Sequence, residues 1–436
     1  MSIKFKVKLL NTNNIITSIP GDKSISHRAI IIGSLASNNS IFDNFLCAED
    51  CLNTAKIFKS LGVNLTVDTM LKKVSIQGVG LNGLQKSKSE LHVGNSGTGI
   101  RLITGILAAQ NFKSVITGDH SIVKRPMKRI IDPLTKMSAT ITGEKLTHKK
   151  DIYPPLIIEA SQLKAIKYTL PVASAQVKSA LLFASLFAFG TTAIHEPIAC
   201  RNHTEVMLKT FGANINIKDK IIYCDGTNEL KNPYSTAITI PSDFSSAAFF
   251  IVLGLIYPNS DLTITNVGLN PTRATLINVL KKMGADITID QKEGIEPFGD
   301  IRVKTSELHN ITVPVEDIPF IIDEIPILAV AAMFAKGKMI IKDAEELRVK
   351  ESDRIKSIVK LVQQFGASII EKKDGFTLTG GFNAKSPKIN TYYDHRIAMS
   401  AIIAATAAQI NITLDSTEAI QTSFPSFLTI LNSLSE

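Results

Sequence analysis

The chain has no tryptophan and only four cysteines, Cys47, Cys51, Cys200 and Cys224. None forms a Cys-x-x-Cys pair. Cys47 and Cys51 have helical spacing, but no histidine lies near enough in sequence to complete a zinc site, so free thiols in a reducing, cytoplasmic setting are expected. Long apolar runs are missing too. The most apolar stretches, Ala247 to Tyr257 and Ile325 to Ala335, fall short of the ~20 residues that cross a bilayer, and the opening MSIKFKVKLL alternates lysine with apolar residues like a strand from Ile3 to Leu10 rather than a secretory leader. Aromatic residues make up 6% and charged residues 20% of the 436, against 44% hydrophobic, which excludes a disordered chain and indicates an aliphatic core. That length exceeds one ordinary core, so two domains of roughly 200 residues each are expected.

What is present is repetition. One segment runs IPGDKSISHRAIIIGSLASNNSIFDNFLCAEDCLNTAKIFKSLGVNLTV from Ile19, and a second runs LPVASAQVKSALLFASLFAFGTTAIHEPIACRNHTEVMLKTFGANINI from Leu170. Both have a strand end, a polar turn, an apolar helix, a short strand and an amphipathic helix closed by Gly62 or Gly212. Glycine suits that closing position because it reaches the left-handed conformation without a Cβ penalty. Further starts occur at Val93-Gly-Asn-Ser-Gly-Thr, Pro241-Ser-Asp-Phe-Ser-Ser, Ile322-Asp-Glu-Ile-Pro and Tyr393-Asp-His-Arg. Their closures are Met137-Ser-Ala, Met283-Gly-Ala, Phe365-Gly-Ala and Leu434-Ser-Glu. Six copies at a spacing of about 70 to 80 residues give an α/β fold of six repeats. The last copy lacks its closing strand and the chain opens with an unpaired one. The two ends therefore complete a single unit: residues 1–20 with 242–436 form a discontinuous domain and 21–241 an inserted one, three repeats in each.

The helix starts carry unusual residues. They are Lys23, Ser24 and Arg28; Asn95, Gly97, Thr98 and Arg101; Ser174, Gln176 and Lys178; Asp243 and Ser245; Asp323; and His395 with Arg396. Exposed N–H groups and the positive end of the dipole make such starts favourable for phosphate or carboxylate, and Arg28 and Arg396 can grip an anion with two parallel bonds. A lone Ser or Asp there is more often a plain cap. Two charged loops, Lys124–Arg129 and Glu345–Arg354, add to the pattern. The second has a helical phase that puts Lys350 and Arg354 on one face beside Glu351, which also suits an inert salt-bridged helix start. The net charge of +9 admits nucleic acid or small anions as partners. Basic residues interleaved with carboxylates, rather than with aromatics on one face, disfavour a nucleic-acid module.

Gly21-Asp-Lys-Ser-Ile-Ser-His-Arg, Gly94-Asn-Ser-Gly-Thr-Gly-Ile-Arg, Lys124-Arg-Pro-Met, Ala173-Ser-Ala-Gln-Val-Lys-Ser-Ala, Leu347-Arg-Val-Lys-Glu-Ser-Asp-Arg, Asp394-His-Arg-Ile-Ala-Met-Ser and Ser423-Phe-Pro closely resemble, in order, the signature segments of the 5-enolpyruvylshikimate-3-phosphate synthases. The resemblance implies two domains of three βαβαββ units, an inverse α/β barrel or prism with a double crossover, closing over an interdomain cleft. It implies transfer of enolpyruvyl from phosphoenolpyruvate to shikimate 3-phosphate through a tetrahedral intermediate, with no metal or organic cofactor and with glyphosate as inhibitor, in a cytoplasmic monomer. Carried over by motif, Ser24 and Arg28 hold the shikimate carboxylate region, Ser174 and Arg201 the 3-phosphate, and Gln176 lies between the substrates. Lys23, Ala175 and Lys350 also count toward the shikimate 3-phosphate site, and Asp323 meets the attacking hydroxyl. Phosphoenolpyruvate falls to Lys23, Gly97, Arg125, Gln176, Arg354 and Arg396, with Thr98 shaping the wall. Lys350, Glu351 and His395 complete the ring, Glu351 serving the methylene carbon and Asp323 with Lys23 the hydroxyl and leaving-phosphate protons.

Departures from many family members are Thr422 in place of a lysine, Glu346 in place of an asparagine and Ala175 in place of a serine. They resemble a divergent second class that includes glyphosate-tolerant enzymes, yet Gly97 is retained where strongly tolerant members carry alanine. A neighbouring family, the enolpyruvyl transferases acting on UDP-N-acetylglucosamine, carries a catalytic cysteine in a mobile loop; the stretch from Gly118 to Arg129 has none. His27, His92, His120, His148, His195, His203 and His309 are read as structural or surface residues.

Overall fold

A computed structural model describes residues 3–11, 13–145, 151–227 and 229–435. His148 and Glu436, which the sequence reading touched, lie outside the described residues. The chain divides into two compact units, Gly21–Ile240 and Met1–Pro20 with Pro241–Glu436.

In the unit Gly21–Ile240, the helices Lys23–Leu35, Gly97–Leu107 and Ala175–Ser185 are buried along most of their length. They are apolar nearly all round, so they form the core rather than one side of it. Gly105 lets two of them touch: a Cβ there would lie 2.2 Å from the Ala180 carbonyl oxygen. Each core helix leads to a strand, an outer helix (Glu49–Ser60, Lys128–Lys136 or His203–Thr210) and an antiparallel hairpin. In the repeat of Leu91–His92, that strand runs parallel to Ser114–Thr117, with Tyr153–Ile158 and Ile141–Glu144 following antiparallel.

The other unit repeats the plan around Phe244–Ile256, Ile325–Phe334 and His395–Ala408, which pack on one another. Phe250 meets Phe424 and Phe427 with ring centroids 6.1 and 5.7 Å apart, tying the last helix, Phe427–Ser433, to this core. Two strands change places where the chain passes between units. Asn13–Ile16 runs parallel to Asp261–Gly268, in the position the strand before Phe244 would take, while Ile238–Thr239 pairs with Asn39–Asp43 within the unit Gly21–Ile240.

Ile3–Phe5 runs antiparallel to Ile412–Leu414, and Leu10 is bridged to Ser435. Only Ile3–Phe5 is continuous strand, shorter than the run to Leu10 read from alternation. No closed barrel forms among the described residues. The six sheets have three or four strands each, some of only two residues, and each leaves two edges.

Five outer helices close alike, whereas Phe427–Ser433 ends at Leu434 with a φ of −83° and no left-handed turn. Gly62, Gly212, Gly284 and Gly366 have φ of +90°, +94°, +98° and +77°, and Ser138 takes the same role at +76°. The next residue's N–H then reaches the carbonyl five residues back: Val63 to Phe58, Ala139 to Leu134, Ala213 to Leu208, Ala285 to Leu280 and Ala367 to Val362, at 2.9 to 3.1 Å. This Schellman bond accounts for the recurring Gly-Ala pair, since only a left-handed residue before it brings the chain round. A Cβ on Gly212 would meet nothing within 4 Å, so Gly212→Ala isolates the backbone term. Gly212→Ala is expected to lose, and Ser138→Gly to gain, about 1 kcal/mol in urea unfolding. Unchanged midpoints in both variants would show that the left-handed conformation does not select these residues.

Candidate active site

Five of the six core helices begin with a side-chain cap. Asp22 accepts from Ile25 N, Ser96 from Gly99 N, Ser174 from Val177 N, Asp243 from Ser246 N and Asp394 from Arg396 N. Ser174 and Asp243 thus do what an ordinary cap does. The sixth helix, Ile325–Phe334, has no side-chain cap, and the Asp323 carboxylate before it turns instead to two cations.

In the unit Gly21–Ile240, Lys23 Nζ lies 3.2 Å from Asp50 at the start of the first core helix. One turn on, Arg28 is buried, donating to Ser24 O (2.9 Å), Thr204 Oγ1 (2.7 Å) and Ser179 Oγ (2.8 Å). Thr204 and Ser179 are partners that no sequence pattern announced. Arg101 donates to Gly97 O (3.2 Å) and Gln176 Oε1 (2.6 Å), while Gln176 Nε2 donates to Thr98 Oγ1 (3.1 Å). Arg125 donates to Ser121 Oγ at 3.2 Å. A Cβ on Gly97 would sit 2.8 Å from an Arg125 nitrogen and 3.0 Å from one of Arg101, so Gly97, Thr98, Arg101, Arg125 and Gln176 form one cationic cluster. Ala175 opens the helix after Ser174, and the half-buried Arg201 precedes the helix His203–Thr210. Lys178 departs from the sequence grouping. It is wholly buried between Glu196 (2.8 Å) and Glu205 (2.7 Å), because the fourth residue of that helix faces the core.

In the other unit, Asp323 Oδ1 lies 3.2 Å from Arg354 and 3.7 Å from Lys350, and Arg396 donates to the Asp323 carbonyl at 2.8 Å. Arg354 is buried, with Nε on Asp394 at 2.8 Å and an Nη on Glu351 at 2.5 Å. Burial alone would lower the Arg354 guanidinium pKa, but Asp394, Glu351 and Asp323 more than offset it and hold the group above its ordinary value. Burial likewise tends to raise the Asp394 carboxyl, and Arg354 overcomes this, leaving it below the usual carboxylate range. His395 follows Asp394 in the first turn and is buried. The shared helical face of Lys350 and Arg354 is not found. A 3-10 turn ends at Val349, Lys350 is extended, and a new helix starts at Arg354 under the Asp353 cap, so the two cations converge on Asp323 from a loop and a helix start.

Behind Arg396 lies a group the sequence reading missed. Glu324 is fully buried, accepts from Ser245 Oγ and stands 3.7 Å from Arg396 and 3.9 Å from Arg273. Its position next to Asp323 was the available signal. Glu346 is half-buried, and Thr422 turns its hydroxyl to the Ala419 carbonyl. Among the described residues no cluster of His, Cys, Asp or Glu is arranged to hold a metal, and no helix is long and apolar enough to cross a membrane.

Cations at helix starts, with carboxylates among them, define an α/β protein of six repeats built to handle small anionic ligands. A family model described as EPSP synthase (3-phosphoshikimate 1-carboxyvinyltransferase) matches residues 11–431. The 3-phosphoshikimate 1-carboxyvinyltransferase of Desulforamulus reducens is 46% identical over 427 residues, covering 98% of this chain and 97% of its own. That of Geobacillus thermodenitrificans is 46% identical over 420 residues, covering 95% of each chain. The solved EPSP synthase of Acinetobacter baumannii superposes with a TM-score of 0.87 at 40% identity, covering 100% of this chain and 98% of its own. The chain belongs to the EPSP synthase family.

One buried group beside this site titrates abnormally. His27 contacts Thr54 Oγ1 (2.8 Å) and Ser96 Oγ (3.5 Å), and burial, with smaller effects from Lys23 and Arg28, pushes its imidazole down to about 3. An unfolded histidine titrates near 6.5, so the unfolded chain takes up a proton that the folded one refuses as pH falls through this interval. Stability present above pH 6.5 should therefore be lost towards pH 3, by at most about 4 to 5 kcal/mol. His27→Asn should flatten the fall of the urea midpoint below pH 6.5; parallel curves for variant and parent would assign the acid loss to other groups.

Proposed function

We propose that the chain catalyses the reaction its family is named for, moving the enolpyruvyl group of phosphoenolpyruvate to the 5-hydroxyl of shikimate 3-phosphate with release of phosphate, in the cytoplasm. The observation that carries this reading is Asp323, a carboxylate released from capping duty and set between Arg354 and Lys350, with Arg396 on its carbonyl.

Ser174, Ala175 and Arg201 take the 3-phosphate, Ser24 and Arg28 the carboxylate end of the acceptor, and Gln176 both substrates. Lys23, Gly97, Thr98, Arg125, Arg354 and Arg396 take phosphoenolpyruvate. Two anionic substrates need this density of cations simply to lie side by side, and the same cations stabilise charge developing at the leaving phosphate.

Protonation of the phosphoenolpyruvate methylene makes C2 cation-like. The 5-hydroxyl adds there as Asp323, assisted by Lys350, takes its proton, giving a tetrahedral intermediate. Loss of the methyl proton then expels phosphate, and Lys23 supports the departing oxygen. Glu351, beside Arg354, serves the carbon in both directions, and His395 completes the ring. Closure around the substrates orders these groups and excludes water.

Gly97 favours glyphosate as an inhibitor. A methyl there would crowd the Arg125 and Arg101 nitrogens, and its absence lets these cations approach the helix start, where a small phosphonate would bind.

One assay tests these assignments. Phosphate release from phosphoenolpyruvate should require shikimate 3-phosphate, should not be supported by UDP-N-acetylglucosamine, and should fall with glyphosate at concentrations near the phosphoenolpyruvate KM. Glu351→Gln should slow single-turnover formation of the intermediate by about 100-fold or more. Release driven by the nucleotide sugar would overturn the substrate assignment, and a near-normal intermediate would remove Glu351 from the carbon.

A further inference from the structure

The charged triad inside the Gly21–Ile240 unit has no place in the chemistry above. Lys178 is fully buried in the core helix Ala175–Ser185. Its ammonium lies 2.8 Å from Glu196 Oε1 and 2.7 Å from Glu205 Oε1, and donates to the Cys200 carbonyl at 3.1 Å. Glu196 Oε1 also accepts from the Cys200 N–H at 2.9 Å and from its thiol at 2.7 Å. One lysine and one carboxylate thus pinch both ends of the segment 196–200 together, although Pro197, Ile198 and Ala199 between them are exposed. Glu205 anchors the helix His203–Thr210 to the same ammonium, one residue beyond Thr204, which accepts from Arg28. Arg201 leaves the chain between these two anchors.

Stability alone is a poor reason for such a group. Two carboxylates face one ammonium away from water, and a buried ion pair seldom outperforms apolar side chains of the same volume. Burial would depress Lys178, yet Glu205 and Glu196 more than offset it and keep the ammonium charged, so the clamp persists across physiological pH. What it provides that leucine or methionine would not is direction: three acceptors around a single Nζ fix the backbone on either side of Arg201.

We propose that Lys178, Glu196 and Glu205 are positioning residues for the acceptor phosphate, acting through Arg201 by holding the segment 196–202 in the geometry that binds it. This rests on the reading that Arg201 takes the 3-phosphate of shikimate 3-phosphate.

The test is initial-rate kinetics on the full chain, varying each substrate with the other saturating. Glu196→Ala should raise the KM for shikimate 3-phosphate about tenfold or more, leaving the KM for phosphoenolpyruvate and kcat within about threefold. Glu196→Gln, whose amide oxygen still accepts from Cys200 N and Lys178, should recover most of the loss. Arg201→Ala should raise the same KM, and adding Glu196→Ala to it should cost little more, as expected of two residues acting through one contact. If Glu196→Ala does not fold, Glu205→Gln takes its place and should raise the same KM about threefold or more. An unchanged KM for shikimate 3-phosphate in the folded variant, with Arg201→Ala impaired, would overturn the positioning role. An unchanged KM in Arg201→Ala itself would instead overturn the phosphate assignment beneath it.

Discussion

The buried ion pair between Arg354 and Asp394 governs the geometry around it. Asp394 receives the Arg354 Nε at 2.8 Å, the Ser352 hydroxyl at 3.1 Å and the Arg396 N–H at 2.9 Å. One carboxylate therefore orients a guanidinium, caps a core helix and holds the loop that carries Lys350 and Glu351. Neither member is tolerable alone, since an uncompensated buried charge costs several kcal/mol, so the pair is kept as a pair. The remaining faces of Arg354 are then presented to Asp323 and Glu351, and these groups gather about a cation already fixed in place.

The same economy appears in the Gly21–Ile240 unit with other partners. Arg28 is held by hydroxyls and a carbonyl, Lys178 by two carboxylates, and Arg101 by an amide and a carbonyl. Cations fixed before ligand arrives need no reorganisation when charge moves during reaction, which is where electrostatic catalysis draws most of its strength. The repeats supply the placement, since each starts a core helix after a polar turn, and its free N–H groups face whatever the turn faces.

How far this was legible in the sequence depended on whether a signal was local. The Gly-Ala closures were plain because left-handed backbone leaves few residue choices, and Met137-Ser-Ala could be placed by analogy although serine is unusual there. Periodicity misled at Lys350 and Arg354, because the Asp353 cap between them starts a new helix and resets the phase. It misled again at Lys178, grouped with the anion-site residues for its nearness to Ser174, when helix rotation carries it into the core. Arg273, Thr204 and Ser179 could not be found at all, being joined to their partners only by tertiary folding. The inverse α/β arrangement implied by family resemblance is present, with buried apolar helices at the centre of each unit and small sheets of three or four strands outside them.

The most direct test of a preorganised cation held by a buried carboxylate is the kcat/KM of Asp394→Asn, with folding checked by circular dichroism. Asparagine keeps the shape and an acceptor for Arg354 but removes the charge that fixes it. The account predicts a folded protein with kcat/KM lowered about 100-fold, equivalent to roughly 3 kcal/mol of transition-state stabilisation. A folded variant with parental kcat/KM would contradict it.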